Sequence, residues 1–150
     1  MRSLLPIFAI LLAACAPAPA PVPKPPPDPA AEDWYAPATA QLAAMNREAE
    51  TLLRDGKSDR AAAVISKGQP LSSRLLAAPR PTLAAIEAAS DLDQLYAGML
   101  LGNRNYGWAR LAFQKNVSRW KNWKPRTPES ARRLNLAHDG IAECDRRMGQ

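Results

Sequence analysis

Proline occupies nearly every second position between residues 16 and 29. Each proline lacks a backbone N–H and holds φ near −65°, so a run of this density cannot form a helix or sit inside a sheet. The run therefore cuts the chain into a short head, a spacer and a C-terminal stretch, and only the last is long enough to bury a core. As polyproline II, at about 3.1 Å per residue, the spacer reaches roughly 40 Å. Plain disorder is the open alternative, and both hold the C-terminal stretch away from the head. A proline ligand for an aromatic groove in another protein is a third reading.

The head has one positive charge at Arg2, apolar residues over 4–12, then Ala13, Ala14 and Cys15, which is the layout of a cleavable export signal. Its apolar run is too short to cross a hydrocarbon core of about 30 Å as a helix, which takes roughly 20 residues. Leu12-Ala13-Ala14-Cys15 resembles the lipobox of bacterial lipoproteins. The resemblance implies that Cys15 carries a diacylglycerol thioether, that the chain is cut just before it, and that the new amine is acylated. Several acyl chains anchor a protein stably where one does not. An ordinary export signal with a chance cysteine is the alternative. In that family an Asp after the cysteine favours the inner membrane, so Ala16 implies the periplasmic side of the outer membrane. The expected organisation is a signal peptide over 1–14, a lipidated Cys and proline-rich linker over 15–37, and a helical domain over 38–150.

Beyond Pro37 the pattern is helical. Leu42, Met45, Ala49, Leu52 and Leu53 share a face, and Gly56 closes the segment. Ser58 is expected to cap a second helix through Ala61, Val64 and Ile65 that stops near Gly68, with Gln69-Pro70 breaking the chain before a short apolar piece over 71–76. Pro81 is placed in the first turn of a third helix carrying Leu83, Ile86, Leu92, Leu95, Met99 and Leu100, with a break near Ser90-Asp91 and an end at Gly102. A fourth, from Tyr106 to Trp123, aligns Ala109, Phe113, Val117 and Trp120. Thr127-Pro128-Glu129 then offers a capping hydroxyl, a first-turn proline and an acid at the positive end of a fifth, which carries Leu134, Ala137, Ile141, Cys144 and Met148. No segment reads as a strand, so the fold class is all-α, in one domain with a modest core.

Two stretches resemble the antiparallel helical hairpin of tetratricopeptide repeats. The stronger runs over 91–120, with Ala97 and Leu100 on one helix, a turn over 103–105, then Tyr106, Ala109 and Phe113. There a small residue allows close approach and an aromatic one turn later fills the groove. The other runs over 45–68, with Ala49, Leu52, Gly56, Ala61 and Ile65. Asp93 stands where the family has an aromatic, Tyr96-Ala97 replaces its Leu-Gly, and Ala61 to Ala109 exceeds the period of about 34 residues, which makes residues around 71–81 an insertion. A generic helical bundle is the alternative, and the final helix would act as a cap.

The chain is poor in catalytic constellations. Its one histidine, His138, neighbours Asp139 in sequence, so on a helix the two point about 100° apart. Cys144 shares an apolar stripe and reads as a small buried hydrophobe without an intramolecular partner. Glu129-Ser130 matches the Glu-Ser of lytic transglycosylases but lacks that family's other motifs; a helix-start acid pairing with Arg133 explains Glu129. Asp91 and Asp93 read as a solvated turn. No metal-ligand spacing occurs, and the expectation is no enzyme, no metal and no cofactor.

Charge is uneven: residues 104–150 hold 11 Lys and Arg against 4 acids, whereas residues 15–103 hold 8 against 10. The densest segment is Arg119-Trp120-Lys121-Asn122-Trp123-Lys124-Pro125-Arg126. Trp120 continues the Phe113 stripe and belongs to the core. Arg119, Lys121, Trp123, Lys124 and Arg126 are candidate binding residues for anionic lipid, cell-wall polymer or an acidic protein surface, and cations favoured by a helix C-terminus are the structural alternative. Nucleic acid is excluded as a partner by export. The resemblances imply a non-enzymatic, membrane-anchored envelope lipoprotein that binds or positions another envelope protein; the alternative is a binder of peptidoglycan or anionic membrane through the basic, Trp-rich segment.

Overall fold

The structure, a computed structural model, describes residues 28–149. Cys15 and most of the proline-rich run lie outside the described residues. The fold is all-α: a 3-10 turn at Pro29–Ala31, then α1 (Tyr35–Arg54), α2 (Ser58–Leu76), α3 (Leu83–Gly102), α4 (Tyr106–Asn122) and α5 (Pro128–Met148), with no strand among the described residues. Short connections make successive helices antiparallel. The helices α1, α2 and α3 pack mutually, α4 packs on α3, and α5 covers α4.

The helix α1 begins three residues ahead of residue 38, where the domain was expected to start. Pro37 falls in its first turn, where no intrahelical partner exists for an N–H, so the proline costs nothing. Tyr35 is buried, and its hydroxyl donates to the Leu75 carbonyl at 3.0 Å. At the other end Gly56 takes φ +74°. Its N–H donates to Leu53 O while the Lys57 N–H reaches back to Leu52 O, a six-residue closure that needs a left-handed residue.

The largest departure from the sequence reading is α2, which does not stop at Gly68 but runs through Pro70 to Leu76. The stripe Ala61, Ile65, Gly68, Ser72 and Leu75 is buried without interruption at steps of three and four, so packing overrides the two helix breakers. Gly68 is there because space is short: a Cβ would stand 2.9 Å from Leu92 Cδ1 and 3.3 Å from Leu42 Cδ1. Pro70 points outward. Lys57, not Ser58, is the cap residue, and no side chain caps this helix.

The helix α3 is also unbroken. Thr82 caps it by accepting from the Ala85 N–H, so Pro81 lies just outside the first turn; Ser90 and Asp93 are buried in its middle, not in a solvated turn. On α4, Asn116 is fully buried and Val117 half-buried. The start of α5 follows expectation: Thr127 Oγ1 accepts from Ser130 N–H, and Ser130 Oγ accepts from Thr127 N–H. Leu83 and Met148, assigned to apolar stripes, are exposed.

Two apolar clusters share α3. The first joins Tyr35, Leu42, Ile65, Leu75 and Leu92 across α1, α2 and α3; the second joins Ala97, Ala109, Phe113 and Cys144 across α3, α4 and α5. Phe113 packs closely on α5 at Gly140, where an added Cβ would meet its ring at 2.6 Å.

The up-down arrangement gives the molecule two ends. At one end, Ala30, Thr82 and Arg133 border a common furrow and Tyr35 meets Leu75, which gathers the chain entry, the α2–α3 connection and the α4–α5 connection. At the other, Leu53, Ser58 and Asn103 meet, and Arg110 pairs with Asp145 at 2.7 Å, which gathers the two hairpin turns and the end of α5.

Candidate functional site

The basic segment divides once its side chains are placed. Arg119 points inward: its side chain is 9% exposed, and its guanidinium donates to Asp93 Oδ2 at 2.8 Å and to Asn116 Oδ1. Lys115 bonds the other Asp93 oxygen at 3.0 Å. Asn116 Nδ2 donates to Ser90 O at 3.0 Å and Trp120 Nε1 to Ser90 Oγ at 2.6 Å, closing a buried polar band between α3 and α4. Burying a carboxylate is costly unless it is paired and hydrogen-bonded, and Asp93 is both. Arg119 is thus committed to the fold. Trp123 is half-buried, edge-on to the Trp120 ring with centroids 6.3 Å apart. Lys121, Lys124 and Arg126 are exposed, and none forms an ion pair among the described residues.

Beside this segment Arg133 gathers Glu129 at 2.8 Å and Asp91, and sits 5.5 Å from the Trp120 ring. The side-chain bonds from Arg132, with the charge of Arg133, hold the Glu129 carboxyl at about 2, far below its ordinary 4.5. Glu129 thus serves as an ion-paired acid in the first turn of α5. His138 is exposed. Cys144 is fully buried, and burial pushes its thiol up, away from the reactive thiolate. Among the described residues no three His, Cys, Asp or Glu side chains stand together as a metal site would require.

The sequence reading missed an apolar groove of about 480 Å³ between α2 and α4, floored by α3. Its walls include Ala62 and Ile65 from α2, Met99 and Leu100 from α3, and Leu111 and Ala112 from α4. Three apolar side chains at its edge are held in water: Trp108 is 70% exposed, Leu111 55% and Tyr96 40%. A signal for it exists in the sequence. Trp108, Leu111, Ala112 and Lys115 form a second stripe on α4 beside Ala109, Phe113, Asn116 and Trp120, so α4 has more apolar face than its contacts with α3 and α5 cover.

Comparison with protein-family models, with curated proteins and with solved structures gives no match for this chain.

Proposed function

We propose that the chain is a lipid-anchored envelope lipoprotein, tethered through Cys15 to the periplasmic side of the outer membrane, whose helical domain is a non-enzymatic module that docks another envelope protein. The observation that carries the docking half is the groove. Trp108, Leu111 and Tyr96 stand exposed around a ready-made apolar furrow, and exposed apolar patches of this kind on a folded domain mark interaction surfaces. Two parallel helices, α2 and α4, with α3 beneath them frame a slot whose occupant is an amphipathic helix entering with its apolar face inward. The anchor half rests on Leu12-Ala13-Ala14-Cys15 and on the spacer behind it. The second reading, a binder of cell-wall polymer or anionic membrane, is favoured by exposed Lys121, Lys124 and Arg126.

Both halves are tested in intact cells. Fatty-acid analogue labelling is expected on the wild type and absent from Cys15→Ala; equal labelling rejects the anchor. A photocrosslinker placed at Leu111 should capture one protein through washes of high salt. Trp108→Ala should cut that capture tenfold or more, the loss expected of an aromatic residue that a bound partner covers, with helicity unchanged because Trp108 is exposed. Capture that is indifferent to Trp108→Ala rejects the groove.

A further inference from the structure

The structure assigns a membrane-facing end to this domain: the end where the chain enters is also the end that presents Arg80, Lys121, Lys124 and Arg126, and we propose that it lies against anionic lipid headgroups. This rests on the anchor reading and narrows the basic segment to a single partner, the lipid surface to which the chain is tied.

Two independent observations converge. The chain enters at Pro29–Ala31, where Ala30 shares a furrow with Thr82 at the α2–α3 connection and Arg133 in the first turns of α5. The α4–α5 connection therefore emerges beside the tether. The second observation is charge. Residues 119–127 contain four cations and no acid. With Arg119 turned inward, Lys121, Lys124 and Arg126 remain in water, joined at the same end by exposed Arg80.

Among the described residues, Glu129 is the one acid of this end held in an ion pair; Asp28, Glu32, Asp33 and Glu87 keep their charge without one. Asp28 accepts from the Ala30 N–H, Glu32 from Trp34 Nε1, and Glu129 from Arg132 and Arg133; Asp33 is exposed. Arg74 is stacked 3.8 Å over the Trp34 ring. The far end holds more of its cations in ion pairs, though not all of them. There Lys57 is held by Asp55, Arg110 by Asp145, and Arg146 and Arg147 by Glu143, although Arg54, Arg60 and Arg104 are exposed.

Docking requires the flexible alternative for the spacer, since a semi-rigid polyproline II rod would hold the domain off the lipid. A flexible tether converts a weak surface attraction into an intramolecular one by setting a high effective concentration of domain at the membrane. Cations near an anionic leaflet each add to that attraction, and salt screens it within about 10 Å at moderate ionic strength. Docked this way, the domain holds the groove of Trp108 and Leu111 sideways, with the hairpin turns pointing away from the lipid.

The test uses the full chain, purified from membranes and reconstituted into vesicles of phosphatidylcholine alone or mixed with phosphatidylglycerol. A fluorophore is placed at Asn122→Cys, at the tethered end, or at Asn103→Cys, at the far end; Cys144 is buried. Headgroup-attached nitroxide should quench the label at position 122 and spare the one at 103, only with phosphatidylglycerol present, and high salt should relieve the quenching. Replacing Lys121, Lys124 and Arg126 with Gln should lower the docked-to-undocked ratio on the order of a hundredfold. Equal quenching at both positions, or quenching indifferent to phosphatidylglycerol and salt, overturns the proposal. Mass measurement of Cys15 reads the anchor separately. A lipidated chain without salt-sensitive quenching rejects the basic end and leaves the anchor; an unlipidated chain that still shows it rejects the anchor and leaves the basic end.

Discussion

Lys57 and Asn105 hold nearly the same backbone conformation, φ −90° and −85° with ψ 57° at both, and each follows a residue in the left-handed region. The hydrogen bonds match as well. Gly56 and Lys57 close onto Leu53 and Leu52 as Arg104 and Asn105 close onto Leu101 and Leu100. The two hairpin turns are therefore the same turn, filled once by glycine and once by Arg104 at φ 62°. A side chain in that region costs about 1–2 kcal/mol because Cβ crowds the following carbonyl. Arg104→Gly should stabilise the domain by about 0.5–1 kcal/mol, the relief less the added freedom of the unfolded chain. Gly56→Ala should destabilise it by about 1 kcal/mol for the mirror reason, since nothing stands within 4 Å of the Cβ it would add. Paired thermal unfolding of the two variants checks both signs.

At the scale of elements, α2 shows where local chemistry yields to packing. Pro70 removes one hydrogen bond from the helix interior and crowds the preceding turn, yet the buried stripe from Ala61 to Leu75 carries the helix past it. Because Pro70 is exposed, Pro70→Ala should restore the donor to Ser66 O without losing contacts, raising stability by about 1–3 kcal/mol, read from the denaturation midpoint. Capping chemistry and periodicity made much of the fold legible. Thr127, Gly56 and the stripes of α1, α4 and α5 are read directly from spacing, because each depends on neighbours within a turn or two. What stayed hidden depends on contacts distant in sequence. Gly68 looks like a terminator until Leu92 and Leu42 are seen pressing on it, and Asp93 looks like a solvated turn until Arg119 and Lys115 reach it from α4. The candidate site divides the same way: the density of cations over 119–126 was visible, but nothing local distinguishes inward Arg119 from outward Lys121, and the groove exists only because α2 and α4 flank α3.

For the whole molecule, the question is whether two apolar clusters make one folding unit. Each is small, and a chain of stacked hairpins can in principle melt from one end when its neighbour contacts are weak. Here α3 belongs to both clusters along its single unbroken length, with Leu92 fully buried in the first and Ala97 in the second. The polar band adds a further link between α3 and α4: freeing α4 from α3 breaks the bonds of Asp93 to Arg119 and Lys115 and those of Ser90 to Asn116 and Trp120 together. The expectation is cooperative, all-or-none unfolding. Leu42→Ala, in the first cluster, should cost about 2–5 kcal/mol and Phe113→Ala, in the second, about 3–5 kcal/mol. Either substitution should lower one common transition, so that amide exchange in α1 and in α5 accelerates by the same factor in each variant. If Phe113→Ala speeds exchange in α4 and α5 while α1 and α2 keep their protection, the hairpins fold as separate units, and a partner seated between α2 and α4 would then be bridging two bodies instead of occupying a rigid slot.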